Sequence, residues 1–318
     1  MKKIFVLIII ALCPIIMQGQ ARKMYRQALR TTNLKQKIEL LDKVIAEEPK
    51  NLDAYFNRAL AKNDSGDYHG AIADYSKIIV EAPDADTYFN RGNSRYNLED
   101  FQGAKADYAK AFYLDKNFID ALYSLACAKF DLGEYKDAIK DFDAVLRVIP
   151  DLQIAYNYKA AAYVALEDYK KALKAYSSAI VVNPNADAFY NRGVFYLDIR
   201  YFQKAKADLN LAVRLNRDNS FVHFYRGASN LFLGKNEDAI SDFHKSLKFD
   251  SFDFDAMLGL AMAYYKLGDK EKAKTYFKKA KSIVNFSSGD TVDKFSKSYW
   301  HLKHFYFFKS VYYDLDKL

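Results

Sequence analysis

The side chains that could perform chemistry in this sequence are few and lie far apart. His301 and His304 stand one helical turn apart and could share a metal ion, but no third ligand lies nearby in the sequence. The run Asp250–Asp255 alternates carboxylates as a calcium loop does, yet it lacks the glycine and the closing glutamate of such a loop. We therefore interpret the histidines as amphipathic residues of an aromatic helix and these aspartates as helix caps.

The two cysteines do not indicate a reactive centre either. Cys13 lies in an apolar leader and Cys127 is left alone, so we expect no disulfide within the mature chain. Cys127 has no obvious basic neighbour that would lower the pKa of its thiol, which favours a packing role. The sequence also lacks a phosphate-binding glycine loop, an HExxH motif, a nucleophile elbow and a paired-cysteine zinc pattern. We predict no catalytic residue, no metal site, no cofactor and no enzymatic activity.

The N-terminus has the anatomy of a secretory leader. A basic Met-Lys-Lys start precedes the apolar stretch Ile4–Met17, which is too short for a comfortable membrane span. Small residues at Gly19 and Ala21 predict cleavage near Ala21 and export to the periplasm or cell envelope. Lipid attachment at Cys13 is the alternative, but Leu12 is larger than the residue that normally precedes a lipidated cysteine.

The charge balance gives little support to nucleic-acid binding. The chain has 48 Lys and Arg against 40 Asp and Glu, for a formal net charge of +8. Nucleic-acid-binding proteins usually gather their basic residues on one face. Here they are spread over nearly every second helix of a repeating pattern, so we predict a solvated face and a protein or peptide partner.

That pattern is a repeat of helical hairpins with a period of 33 or 34 residues. Its clearest example is 153–184, where small and aromatic residues alternate on two amphipathic segments around a tight turn at 166–168. Pro184 ends the second segment, because its ring cannot continue a helix. The alanine of the second segment recurs as Ala71, Ala104, Ala138, Ala172, Ala205, Ala239 and Ala273.

The period and the hairpin content resemble the tetratricopeptide repeat family, here of an exported bacterial type. The resemblance implies an all-α fold, a right-handed α-solenoid of helix-turn-helix repeats that ends in a C-terminal capping helix. We predict a signal peptide at 1–21, a divergent first unit at 22–51, seven repeats over 52–284, and an aromatic capping region at 285–318. In each repeat the first helix carries a small residue where the two helices would cross: Ala59, Gly92, Ala126, Ala160, Gly193, Gly227 and Ala261.

One correlation within the repeats predicts structural ion pairs. In four repeats an arginine stands just before the crossing residue, and the same repeats carry an aspartate three residues after the recurring alanine. We predict that each arginine pairs with the aspartate of its repeat, because an unpaired charge there would be costly. The alternative is a ladder of arginines that binds an anionic ligand. The pairs are Arg58 with Asp74, Arg91 with Asp107, Arg192 with Asp208, and Arg226 with Asp242.

The resemblance also implies a binding groove, because the family's first helices line a concave side. Aromatic and amide side chains near the crossing residue suit an extended peptide or a helix. Aspartates recur at the first turn of these helices, which favours basic or neutral ligands. The predicted groove residues are Phe56, Asn57, Phe89, Asn90, Asn93, Tyr123, Asn157, Tyr158, Tyr190, Asn191, Phe224 and Tyr225.

The C-terminal region carries aromatic residues all round its predicted helix. One interpretation is that one side packs on the last repeat and the rest is ordinary amphipathic surface. The other is a docking surface for a partner, a second copy or a membrane interface. The sequence therefore predicts a non-catalytic scaffold of the cell envelope, with a subunit docked into a membrane-associated complex through this helix as the alternative. The oligomeric state is not predicted.

Overall fold

A computed structural model describes residues 19–283 and 295–318. Every regular element within these ranges is a helix, as the repeat pattern predicts. The chain divides into two compact units, of which the first ends at Glu167 and the second begins at Asp168. Nearly all of the predicted leader lies outside the described residues.

The first unit contains nine helices within its described part. They alternate between the first and second helices of successive hairpins. Their bounds are α1 (19–30), α2 (Leu34–Glu47), α3 (Leu52–Asp64), α4 (Tyr68–Glu81), α5 (Ala85–Asn97), α6 (Phe101–Leu114), α7 (Ile119–Asp131), α8 (Tyr135–Val148) and α9 (Gln153–Ala165).

The second unit contains eight helices within its described part. The hairpin pattern continues through α16, and a longer helix follows it. The bounds are α10 (Tyr169–Val182), α11 (Ala186–Asp198), α12 (Phe202–Leu215), α13 (Ser220–Phe232), α14 (Asn236–Phe249), α15 (Phe254–Lys266), α16 (Lys270–Ile283) and α17 (Tyr299–Asp316).

Local sequence explains where many of these helices begin. Asn51, Asp84 and Asn185 accept hydrogen bonds from the backbone N–H of the third residue along, which satisfies a donor that the first helical turn leaves open. Asp253 caps α15 in the same way. The carboxylates of the calcium-like run therefore include a helix cap.

Close packing explains the small residues at the helix crossings. The crossing alanines Ala59, Ala126, Ala160 and Ala261 are fully buried. At Gly193 an added Cβ would stand 2.8 Å from Cγ of Leu209, which is closer than van der Waals contact permits. The crossing residue thus sets how closely the two helices of a hairpin can approach.

The turn between the helices of a hairpin requires a left-handed backbone at one position. Gly66 and Gly133 occupy it with φ of 84° and 75°, where glycine has no steric penalty. Glu99, Glu167 and Arg200 adopt the same conformation with φ of 60°, 59° and 64°. The fold imposes this turn even where the sequence does not supply glycine.

The last helix, α17, does more than close the end of the second unit. Its C-terminal half packs on α16, where Tyr312 meets Phe277 with ring centroids 5.7 Å apart. Its N-terminal half lies against α13 and α15, which are first helices of their hairpins. A non-helical backbone at His304 separates the two halves.

Candidate functional site

The four arginine–aspartate pairs each join the two helices of one hairpin. In every pair the guanidinium donates from Nε and from one terminal nitrogen to the two carboxylate oxygens, at 2.6–3.0 Å. The aspartates Asp74, Asp107, Asp208 and Asp242 are at most 5% exposed. This geometry gives the arginines a structural partner, because a buried carboxylate needs a fixed cation.

The third nitrogen of each arginine reaches the second helix of the preceding hairpin. In the first unit Arg58 donates to Asp42 at 2.7 Å, and Arg91 donates to Ser76 at 3.0 Å. In the second unit Arg192 donates to Ser177 at 3.2 Å. The acceptor stands 15 or 16 residues earlier in the chain. This spacing is present in the sequence, but the pairs predicted from the sequence lie within one hairpin and do not include it. Each arginine therefore joins the two helices of its own hairpin and fixes the register of that hairpin against the preceding one.

Two repeats without the arginine use lysine instead. Lys129 binds Asp141 at 2.5 Å within its hairpin. Lys159, which stands where the arginine would be, binds Asp143 of the preceding second helix. In these two repeats one lysine makes the contact within a hairpin and another makes the contact between hairpins, whereas a single arginine makes both in the other repeats.

Four aromatic side chains form a row along the first helices of the first unit. We call Phe56, Phe89, Tyr123 and Tyr158 the ring row; all are half-buried. Each rests on its hairpin or a neighbour: Phe89 lies 4.8 Å from Phe118, and Tyr123 lies 6.3 Å from Tyr158 between ring centroids. The rings are held in place, yet each side chain stays partly exposed.

The predicted asparagines of the first unit are oriented by their own helices. The amide nitrogens of Asn57 and Asn90 each donate 2.8 Å to the carbonyl four residues earlier. Asn93 accepts from the hydroxyl of Tyr108 at 2.9 Å. Asn157 has a buried carbonyl oxygen with no hydrogen-bond partner in the described part of the chain. Asn57 and Asn90 therefore present an oriented amide beside the ring row.

The corresponding face of the second unit is partly covered by α17. Phe224 and Tyr225 were predicted to face a ligand, but the rings of both meet Tyr299 of α17, at 5.2 and 5.3 Å. Phe224 is only 6% exposed. The cause is that α17 carries aromatic residues on several sides, so its inner side stacks on these rings. Tyr190 and Asn191 remain half-buried, and Tyr190 contacts Tyr225 at 5.7 Å.

Asp255 fixes the start of α17 on this face. Both carboxylate oxygens accept from the backbone N–H of Tyr299, at 3.0 and 3.1 Å, and the carbonyl oxygen of Asp255 accepts from Trp300 Nε1 at 2.8 Å. Burial raises the pKa of Asp255 to about 7. Lys303 of α17 also binds Asp198 at 3.2 Å, which ties the helix to α11.

The residues with possible chemistry are buried or packed against aromatic rings. Burial lowers the pKa of His304 to about 4, and its Nε2 lies 2.9 Å from the hydroxyl of Tyr299. His301 stacks edge-on with Phe305 at 4.8 Å. Burial raises the pKa of the Cys127 thiol to about 12, so the thiolate is scarce at neutral pH. Within 19–283 and 295–318, no three histidine, cysteine or acidic side chains gather as metal ligands would.

None of the helices in the described ranges combines the length and the apolar character that crossing a membrane requires.

Comparison with known proteins identifies the hairpins. Sequence profiles of the tetratricopeptide repeat match residues 19–86, 85–118, 119–152, 159–220 and 255–283. RNA polymerase II-associated protein 3 from Homo sapiens is 32% identical over 100 residues, which is 31% of this chain and 15% of that protein. The chain therefore matches only a small part of this relative's length.

Solved structures share the architecture at low sequence identity. A tetratricopeptide repeat protein from Parabacteroides merdae superimposes with a TM-score of 0.60 and 18% identity, over 77% of this chain and 99% of that one. Yeast Tom70 gives a TM-score of 0.54 and 18% identity, over 93% of this chain and 64% of that one. At these identities the likeness shows the fold.

Proposed function

Because this chain belongs to the tetratricopeptide repeat family, we propose that it is a non-catalytic scaffold that binds a protein segment on the ring row of its first unit. Proteins of this fold generally serve in protein–protein interaction, so a role as an interaction scaffold follows from the family. The segment that is bound, and the place where it binds, are our proposal.

The observation that carries the proposal is the ring row itself. Large aromatic side chains held by a rigid helical surface contribute most to binding, because they bury much area at little cost in conformational entropy. In the first unit these side chains stay partly exposed, whereas Phe224 in the second unit is buried against α17. The first unit therefore offers the more open binding surface.

Side chains around the ring row indicate what kind of segment it binds. Asn57 and Asn90 can accept hydrogen bonds from the backbone N–H groups of a ligand. Asp53, Asp86 and Asp120 are exposed at the first turns of the same helices, so this edge of the surface is acidic. We propose a neutral or basic peptide segment, because an acidic one would meet like charges.

Quantitative co-purification tests this function. The wild type, Phe89→Ala and Tyr123→Ala would each be crosslinked in cells and purified from envelope extracts. The matched control is Tyr113→Ala, because Tyr113 is an exposed aromatic residue on a second helix of the same unit. We expect both ring-row variants to lose the partner and the control to keep it. Equal recovery by all four proteins would contradict the proposal.

We also propose export to the periplasm or cell envelope, on the basis of the apolar leader and the small residues before position 22. Cell fractionation and mass spectrometry of the mature N-terminus test this. An N-terminus near residue 22 supports cleavage, a lipidated cysteine at position 13 supports the alternative, and an intact chain in the cytosol contradicts export.

A second candidate function uses the outer side of α17. Leu302, Tyr306 and Tyr313 are 66%, 79% and 48% exposed on this helix, and Lys309 lies beside them. Such a surface suits attachment to a larger complex or a membrane interface. Replacing the three apolar residues by serine should release the protein from membranes if the surface is an attachment site. An unchanged distribution between membrane and soluble fractions would exclude it.

A further inference from the structure

A basic cavity lies in the second unit, between the ends of α12 and α14 and the start of α13. Its volume is about 650 Å³. Such a volume is within the range of small-molecule sites. Among the described residues that line it, none is a carboxylate. The lining side chains are Asn210, Val213, Arg214, Arg217, His223, Arg226, Lys245, Lys248 and Phe249.

Four of the cations around this cavity are uncompensated. Arg214, Arg217, Lys245 and Lys248 form no ion pair with any residue in 19–283 or 295–318. Arg226 differs, because its charge is balanced by Asp242 at 2.6 Å. Four like charges around one cavity repel each other, and an anion between them would remove that repulsion.

Two acidic side chains near the cavity are already engaged elsewhere. Asp238 and Asp242 line a neighbouring cavity of about 350 Å³. There Asp238 is bound by Lys206 at 3.3 Å, and Asp242 also accepts from Asn230 at 3.0 Å. Neither carboxylate lines the larger cavity, so its positive potential is not neutralised from within.

Repeat equivalence shows that the hairpin fold does not require these cations. Arg214 and Lys248 are the penultimate residues of α12 and α14. The same place in α4, α6 and α10 holds Val80, Tyr113 and Val181, whereas α8 also has a cation there, Arg147. A cation in the last helical turn is favoured by the helix dipole, which could explain each residue singly. The dipole does not explain why the cations of two consecutive hairpins, Arg214 and Lys248, line the same cavity, or why Arg217 and Lys245 line it as well.

The backbone around the cavity is fixed. His223 is 5% exposed, and its Nε2 donates to the carbonyl oxygen of Arg217 at 2.9 Å. This bond holds the loop before α13 against the helix. The backbone of Arg217, from which its side chain extends towards the cavity, is therefore held in a defined position. Asn210 adds a second fixed polar group, because its side-chain oxygen accepts from Arg226 at 3.3 Å.

One wall of the cavity is apolar. Val213 and Phe249 line it, and Phe249 is 52% exposed. A half-exposed ring beside several cations suits a ligand that combines an anionic group with a ring, since the phenyl face can stack while the cations bind the charge.

We propose that this cavity binds a small phosphorylated molecule that also carries a ring. Arg214, Arg217, Lys245 and Lys248 hold the phosphate group by charge-assisted hydrogen bonds, and Phe249 contacts the ring. Guanidinium groups match phosphate geometry and lysines add point charge. The residues of this site all lie in the second unit and differ from those of the ring row in the first unit.

Isothermal titration of the full-length protein tests the site with three probes at matched ionic strength. They are inorganic phosphate, a nucleoside monophosphate, and vesicles of phosphatidylcholine with phosphatidylglycerol. The variant is Arg214→Gln with Lys248→Gln. The control is Lys170→Gln with Lys174→Gln, which removes the same charge from exposed positions of α10 in the same unit.

We expect saturable binding of the nucleoside monophosphate, tighter than that of inorganic phosphate. It should weaken about tenfold or more in the cavity variant and stay unchanged in the control. A Phe249→Ser variant should lose the preference for the nucleoside monophosphate over inorganic phosphate while it still binds phosphate. Circular dichroism of each variant verifies folding.

Three results would overturn the proposal: no binding of either soluble phosphate, equal weakening in the control, or binding of vesicles alone. The last would indicate a membrane-facing surface. Each of these results leaves the ring row unaffected, because Phe89→Ala and Tyr123→Ala test that surface independently.

Discussion

Arg192 and Asp208 face each other across the hairpin of α11 and α12, joined by two hydrogen bonds of 2.7 and 2.9 Å. Asp208 is 5% exposed, and Arg192 is the only cation that binds it within the described residues. Asp107 in the first unit is held by two cations, Arg91 at 2.7 Å and Arg95 at 2.9 Å. The two carboxylates thus differ in how much each depends on a single arginine.

We predict that Arg192→Met lowers the free energy of unfolding of the second unit by about 3 kcal/mol, because it leaves a buried carboxylate unpaired. Arg91→Met should lower the free energy of unfolding of the first unit by clearly less, since Arg95 still binds Asp107.

Trp300 is the only tryptophan and is fully buried, so its fluorescence reports denaturant unfolding of the second unit. Far-ultraviolet circular dichroism, which reports helix content, follows denaturant unfolding of the first unit. The double variant Arg192→Met with Asp208→Asn should recover part of the loss, and equal costs at Arg91 and Arg192 would refute this reasoning.

The left-handed turn residues give a prediction of opposite sign. Glu99 has φ of 60°, a conformation that costs a residue with a side chain about 1–2 kcal/mol. Glu99→Gly should therefore stabilise the first unit by about 1 kcal/mol, despite the greater chain entropy that glycine brings to the unfolded state. Gly133→Ala, at the equivalent turn, should destabilise it by a similar amount. Thermal unfolding of both variants decides the matter, and Glu99→Ala, which keeps a Cβ, is the control that should show no gain.

Asp255 makes the attachment of α17 dependent on pH. Burial raises its pKa to about 7, above the usual value of about 3.9 in an unfolded chain, and the neighbouring carboxylate of Asp253 adds to the rise. Between about pH 4 and pH 7 the folded state therefore binds one proton more at this residue than the unfolded state does. The contribution of Asp255 is fully present below about pH 4 and is lost as pH rises through 7.

His304 acts in the opposite direction over part of this range. Its pKa is lowered to about 4 by burial, so protonation below its usual value of about 6.5 opposes folding. Comparison of Asp255→Asn with the wild type isolates the aspartate, because both proteins keep His304. We predict that the stability of Asp255→Asn relative to the wild type increases from pH 5 to pH 8, followed by Trp300 fluorescence. A difference that does not change with pH would show that Asp255 does not titrate in this range.

Much of the fold could be predicted from the sequence because its determinants are local and repeated. The recurring alanines and the small crossing residues define the hairpins, and the common spacing of arginine and aspartate matches the contacts between their helices. The turns at Glu99 and Arg200 show the same fold without its glycine signal. There the packing of the hairpin overrides the local preference of the residue.

The position of α17 could not be predicted in the same way. Its aromatic residues fall on every side, so periodicity did not show which side is buried or against which helix. The deciding contacts join residues far apart in sequence: Tyr299 with Asp255, Lys303 with Asp198, and the ring of Phe224 with that of Trp300. Such contacts depend on tertiary packing that no repeat encodes. As a result, Phe224 and Tyr225 resembled the open groove residues of the first unit, although α17 covers them.

The most direct test of protein binding on the ring row is photocrosslinking at single positions in living cells. A photoreactive phenylalanine derivative at position 89 or 123 would probe the ring row, and the same derivative at position 113 would probe the second-helix side of the first unit. We predict that positions 89 and 123 capture the same protein and position 113 does not. Capture of that protein at position 113 alone, or no capture at 89 and 123 while the protein still co-purifies with a partner, would contradict the proposed binding surface.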